Sequence, residues 1–195
     1  MAYPQVPHAT YDEFRNAVNG QYYDLDGQYG AQCYDGALLL YVQNDINQFL
    51  YTAHNVDPSL AGTAKSCWSY QPARNLNASG HFSAVYDKTQ IKKGDILVFD
   101  TRAGWYGSSG HIGYADEDYN GTDYLNILSE NYGAGSNPTT GKAFNIARAY
   151  LSPFLGAFRY DGWQSPTPPP TTTKKRKKFP WVTAWNFWGY WKFIL

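Results

Sequence analysis

The chain has 195 residues, with 16 basic and 16 acidic side chains and a formal net charge of zero. That length holds one core of ordinary size and leaves too little for a second full domain. The opening MAYPQVPHATYDEF lacks the basic and apolar regions of a signal peptide, so synthesis in a reducing cytosol is expected. Cys33 and Cys67 are accordingly read as thiols, with a single disulfide as the alternative.

The zero net charge hides an asymmetry. Beyond the last acidic residue, Asp161, lie Lys174, Lys175, Arg176, Lys177, Lys178 and Lys192, which leaves ten basic against sixteen acidic residues before them, a body of −6 and a tail of +6. The join is SPTPPPTTT, where repeated prolines favour extended polyproline conformation and make a semi-rigid spacer. The expected organisation is a body over residues 1–163, a linker over 164–173 and a tail over 174–195.

In chain order, TYDEFRNAVNG reads as a short helix, with Thr10 and Glu13 as a capping box and Gly20 as the left-handed residue that ends it. A second helix is expected to start near Cys33 and run through GALLLYVQNDINQFL, too long and leucine-rich for an ordinary strand. GDILVFD, HIGYAD, DYLNILSEN and GAFRY are short, apolar and aromatic, and divided by Gly, Asn and Asp turns, so each reads as a strand. Helices first and antiparallel strands afterwards predict an α+β layer arrangement. There is no internal repeat and no nucleotide-binding glycine loop, and no nucleic-acid partner is expected.

A helix beginning at about Gln32 to Tyr34 would place Cys33 in its first turn, where unpaired backbone N–H groups and the helix dipole favour an anion. A thiolate is such an anion and is the nucleophilic form of cysteine, so a depressed thiol pKa is expected there. Taken alone, Cys33 would read as a small buried hydrophobe. A nucleophile needs a base, and His111 is the candidate: it follows GSSG and opens the strand HIGYAD, whereas His8, His54 and His81 lie in terminal or loop contexts. A third group is expected to fix the tautomer of that histidine. Glu130 and Asn131 on the next strand are the candidates, and alternation allows only one of them to face the site unless the strand has ended or bulged.

The order GQYGAQCYD, KKGDILVFD, GHIGYAD, LSENYG resembles the CHAP domain, the cysteine- and histidine-dependent amidohydrolase/peptidase of phage lysins and bacterial cell-wall hydrolases, over residues 10 to 162. The resemblance implies a papain-like α+β fold in which Cys33 attacks a peptidoglycan amide and His111 is the base. Such domains often carry Glu-x-Asn at the orienting strand, whereas here Glu130 is directly followed by Asn131.

Asp24, Asp26, Gln28, Gly30 and Asp35 occupy positions 1, 3, 5, 7 and 12 of a twelve-residue window, the spacing with which an EF-hand loop surrounds calcium. Tyr29 stands where an EF-hand needs glycine, so the loop is not an EF-hand proper. Some CHAP lysins bind calcium in a loop of this kind, and the resemblance implies the same here; a solvated acidic turn is the alternative. Calcium so placed would order the chain leading into Cys33 and favour its thiolate. Zinc is not expected, because no His/Cys/Asp set has ligand spacing. The side chain of Gln32 and the Cys33 N–H are candidates to bind the oxyanion of a tetrahedral intermediate.

The tail KKRKKFPWVTAWNFWGYWKFIL holds four of the seven tryptophans. Its apolar part, about 17 residues, is short of the roughly 20 that span a bilayer, so an interfacial anchor on anionic lipid or wall polymer is expected. A packed C-terminal element and an engineered or truncated terminus are the alternatives. For the whole chain two classes remain: a monomeric, phage endolysin-like enzyme that acts at the cell wall on peptidoglycan and leads to lysis, and a non-catalytic, calcium-dependent wall- or membrane-binding module.

Overall fold

The computed structural model describes residues 4–44, 62–104 and 106–163. Helix α1, Tyr11–Val18, starts at the expected capping box, with Glu13 N–H donating to Thr10 Oγ1 and Thr10 N–H to Glu13 Oε2, each at 3.2 Å. It buries Tyr11, Phe14 and Val18, which share one helical face, and the chain turns away at Gly20, φ 82°. Helix α2, Cys33–Val42, is buried almost all round from Asp35 onward, as its run of leucines requires. The helix stops at Val42, with Gln43 as its C-cap and Asn44 in a turn, sooner than the sequence predicts; residues 45–50 of the expected helix lie outside the described residues. Two short helices follow, α3 at Ser66–Ser69 and α4 at Gln71–Asn77, the latter with a proline in its first turn.

Six strands make one antiparallel sheet: β1 Phe82–Val85, β2 Ile96–Phe99, β3 His111–Ala115, β4 Tyr124–Ser129, β5 Asn145–Tyr150 and β6 Phe154–Tyr160, in the order β1-β6-β2-β3-β4-β5. The expected strands are all present. β1 and β5 were not expected: both lie at sheet edges, where short segments carry little apolar signal. The central strand β2 is buried at every residue, which fits its unbroken apolar run ILVF.

Both faces of the sheet are apolar. One packs Ile96, Val98, Ile112, Tyr114, Leu128 and Phe158 against α1, α2 and α3; the other gathers Leu97, Phe99, Ala115, Leu125 and Ile127 beneath Val85, Ile91, Tyr106 and Tyr132. Helix α2 is fixed on β3 by Tyr114, whose hydroxyl lies 3.0 Å from the Gly36 carbonyl and 3.1 Å from that of Ala37. Arg15 grips Asp116 through two nitrogens and so ties α1 to the turn after β3. This framework brings the start of α2 to the start of β3. Among the described residues no helix is long and apolar enough to cross a membrane. The expected linker and tail lie outside those residues.

Candidate active site

Cys33 is the first residue of α2, as the sequence predicts, with Gln32 in extended conformation as the N-cap. Cys33 and Cys67 are both thiols and are not joined by a disulfide. The backbone N–H of Ile112, the residue after His111, lies near enough to the Cys33 thiol to favour its charged form. Its acidity differs from expectation. Burial pushes the thiol up to about 11; the Ile112 N–H opposes this, Asp35 and Glu130 add to it, and the helix's own first N–H is the smallest of these influences. The helix terminus is outweighed because the half-buried thiol is desolvated on its protein side and has two carboxyl groups nearby.

His111 opens β3 and is only 5% exposed, and burial pulls its imidazole down to about 3. The resting pair is therefore a neutral thiol and a neutral imidazole. The ring packs in a cluster with two tyrosines: Tyr132 lies 4.5 Å away at 31°, Tyr106 lies 5.6 Å away at 15°, and the two tyrosine rings are 5.7 Å from each other. Both tyrosine hydroxyls are anchored on backbone carbonyls, Tyr106 on Tyr150 and Tyr132 on Arg148.

The group against His111 Nε2 is Ser129 Oγ, at 3.0 Å. Ser129 is the last residue of β4, and β4 runs antiparallel to β3 as expected, paired at Tyr114–Leu128 and Ala115–Ile127. The two strands can close on the serine because residue 113 is glycine: a Cβ there would lie 2.8 Å from Ser129 Cβ.

Neither expected orienter bonds to the histidine, and this corrects the sequence-based expectation. β4 ends at Ser129, and Asn131 takes a left-handed backbone, φ 47°, so the strand alternation that would have paired it with the histidine face is broken. Glu130 points to the helix side, where Oε1 accepts the Tyr23 N–H at 2.8 Å and Oε2 has no hydrogen-bond partner. Burial pushes its carboxyl up to about 9, so it is protonated at neutral pH. Asn131 instead donates from Nδ2 to Gln32 Oε1 at 2.5 Å and accepts from the Asn137 N–H. Gln32 also donates from Nε2 to the Tyr29 carbonyl at 2.6 Å, which leaves one of its two side-chain N–H bonds for another acceptor. The sequence signal for Ser129 was the period-two alternation of LSEN, which places Ser129 opposite in facing to Glu130; Tyr106 and Tyr132 carry no comparable signal.

The acidic loop precedes α2 directly. One carboxylate oxygen from each of Asp24, Asp26 and Asp35 lies within 4.8 Å of the others. Asp35 organises the loop: its Oδ1 accepts the N–H groups of Leu25 and Asp26, and its Oδ2 accepts that of Gln32. Asp26 Oδ1 accepts the Gln28 N–H at 2.7 Å, and Gly30 takes a left-handed φ of 68°. Tyr29, at the EF-hand glycine position, adopts φ 64° with its ring 69% exposed, so the sharp turn is made without glycine. Burial raises the Asp35 carboxyl to about 6 and also raises that of Asp26, and in each case the neighbouring acid contributes. An all-oxygen donor set with converging like charges fits a hard cation such as calcium.

No family model matches the chain. The fold it defines is α+β, and its likeness to a solved structure bears this out: it matches the crystal structure of a wild type endolysin, LysIME-EF1, with a TM-score of 0.52 and 20% identity, over 78% of this chain and 64% of that one. In sequence it is similar to the D-alanyl-L-alanine endopeptidase of Streptococcus phage B30, 28% identical over 153 residues, which is 77% of this chain and 30% of that protein. The chain thus spans less than a third of that relative's length.

Proposed function

We propose that this chain is a peptidoglycan hydrolase of the phage endolysin type that cuts a wall amide with Cys33 as nucleophile and His111 as base, a CHAP-like cysteine amidase or endopeptidase. The observation that carries this reading is the meeting of the first turn of α2, which Cys33 opens, with the start of β3, where the Ile112 N–H lies near the thiol and the preceding residue is a buried histidine with Nε2 against Ser129. The similarity to a phage endopeptidase supports the substrate class.

Because the resting pair is neutral, His111 takes the thiol proton as the sulfur attacks the amide carbonyl carbon. The carbonyl π electrons move onto oxygen, and the Cys33 N–H and the remaining Gln32 side-chain N–H would receive that oxyanion. The imidazolium then gives its proton to the leaving amine as the C–N bond breaks, leaving a thioester on Cys33. Water, deprotonated by the same imidazole, adds to the thioester and releases the acid and the thiol.

Asp24, Asp26 and Asp35, with Gln28 and the Gly30 carbonyl from the same loop, would hold calcium. When bound, the ion supplies positive charge beside α2 and rigidity to the loop. The basic, tryptophan-rich segment 174–195 suits attachment to anionic wall polymer or membrane; deleting it should weaken binding to whole cells while hydrolysis of soluble wall fragments persists. The experiment that tests the main reading is mass spectrometry of fragments released from purified walls. New amino and carboxyl ends at one bond type support it, and intact walls at every enzyme concentration and calcium level would overturn it.

A further inference from the structure

The hydroxyl of Ser129 has three polar neighbours: His111 Nε2 at 3.0 Å, the Ile112 carbonyl at 2.9 Å and the Glu130 carbonyl at 3.1 Å. A hydroxyl has one proton to give and two lone pairs to offer, whereas a carbonyl oxygen can only accept. If the proton were given to Nε2, both carbonyl oxygens would face the lone pairs of Oγ. Ser129 is only 1% exposed, so water would not relieve them, and buried acceptors without donors are costly. The proton therefore goes to the carbonyl side, and a lone pair of Oγ faces Nε2. A nitrogen facing a lone pair at this distance must carry the hydrogen.

We infer that Ser129 is the positioning residue of the site: as an acceptor held by two backbone carbonyls, it fixes His111 in the Nε2–H tautomer and so leaves Nδ1 as the unprotonated nitrogen that serves as base. The inference rests on the proposed hydrolase reading for its use, though the tautomer itself does not depend on catalysis. The arrangement is built rather than incidental. Gly113 leaves the space Ser129 fills, and the tyrosines on the ring limit its rotation about the Cβ–Cγ bond. Serine does here, through its lone pair, what a carboxylate or amide oxygen does elsewhere for a catalytic histidine.

The test is long-range proton–nitrogen correlation NMR on the full-length 15N-labelled protein at neutral pH, with the His111 signals identified by their loss in His111→Gln. The wild type is expected to show a pyrrole-like, protonated Nε2 and a pyridine-like Nδ1. Ser129→Ala should shift His111 towards a mixture of tautomers and lower kcat by about tenfold to a hundredfold, with little change in KM and with cooperative melting retained. Gly113→Ala, which crowds Ser129 without touching the ring, should move the same signals in the same direction. A protonated Nδ1 in the wild type overturns the assignment by itself, even if both variants fail to fold. So does a Ser129→Ala protein with unchanged tautomer and turnover. A wild type with the expected tautomer that releases no wall fragments would leave the assignment standing and remove the hydrolase reading instead.

Discussion

Asn131 Nδ2 and Gln32 Oε1 are 2.5 Å apart, a contact that ties the end of β4 to the N-cap of α2 and leaves Gln32 only one uncommitted side-chain N–H. Asn131 thus bonds on the α2 side of the candidate site, although the sequence suggested it for the histidine. Asn131→Ala should let the Gln32 amide swing and should reduce kcat by about tenfold to a hundredfold, the usual effect of loosening a group that binds the transition state. Steady-state kinetics on soluble wall fragments would check this. A KM effect alone would place Asn131 in substrate binding instead.

Glu130 gives a prediction about stability and pH. Its folded-state pKa of about 9 lies above the unfolded value of 4.5, so the folded protein keeps a proton that the unfolded chain gives up. The sign follows: its contribution is fully present below about pH 4.5 and is lost as pH rises through about 9, at up to about 1.4 kcal/mol per pH unit. Glu130→Gln cannot ionise, and its melting temperature in chelator should fall less steeply between pH 5 and pH 9 than that of the wild type. Parallel curves for the two proteins would show that the carboxyl is not held neutral.

Much of this was legible in the sequence, for physical reasons that differ between elements. The start of α2 at Cys33 and the strand at His111 were readable because capping and apolar runs are local signals. The convergence of Asp24, Asp26 and Asp35 was readable because their spacing is local too. The acidity of Cys33 was not readable: a first-turn position argues for a lower pKa, and burial beside Asp35 and Glu130, which only tertiary structure reveals, wins in the other direction. Nor was the choice among Ser129, Glu130 and Asn131, because it turns on where β4 ends. One residue of difference there exchanges the two faces of the sheet.

The dyad itself is tested by substitution. Cys33→Ser and His111→Ala should each reduce wall hydrolysis by several orders of magnitude while the thermal transition stays cooperative. Cys67→Ala should keep most of the activity, since Cys67 is buried in the core cluster and enters no step of the proposed reaction. At most it should cost stability, by about 1 kcal/mol. Full activity in Cys33→Ser would end the thiol mechanism.

Calcium is tested most cleanly at Asp24. Asp35 also caps α2 and Asp26 also holds the Gln28 N–H, so substituting either confounds metal binding with folding. Asp24 is exposed, and its carboxylate approaches those of the other two. Removing calcium from the wild type should lower both activity and melting temperature, and excess calcium should restore them, because a ligand that binds only the folded state stabilises it by mass action. Magnesium should substitute poorly, since it demands a tighter octahedral shell. In Asp24→Asn the calcium-dependent rise in melting temperature should shrink or vanish, while the calcium-free stability should stay within about 0.5 kcal/mol of the wild type, the usual range for an exposed substitution. Titration calorimetry supplies the independent reading. A wild type that takes up no calcium, and whose activity and melting are the same in chelator, would reduce the three aspartates to a solvated turn that organises the approach to α2.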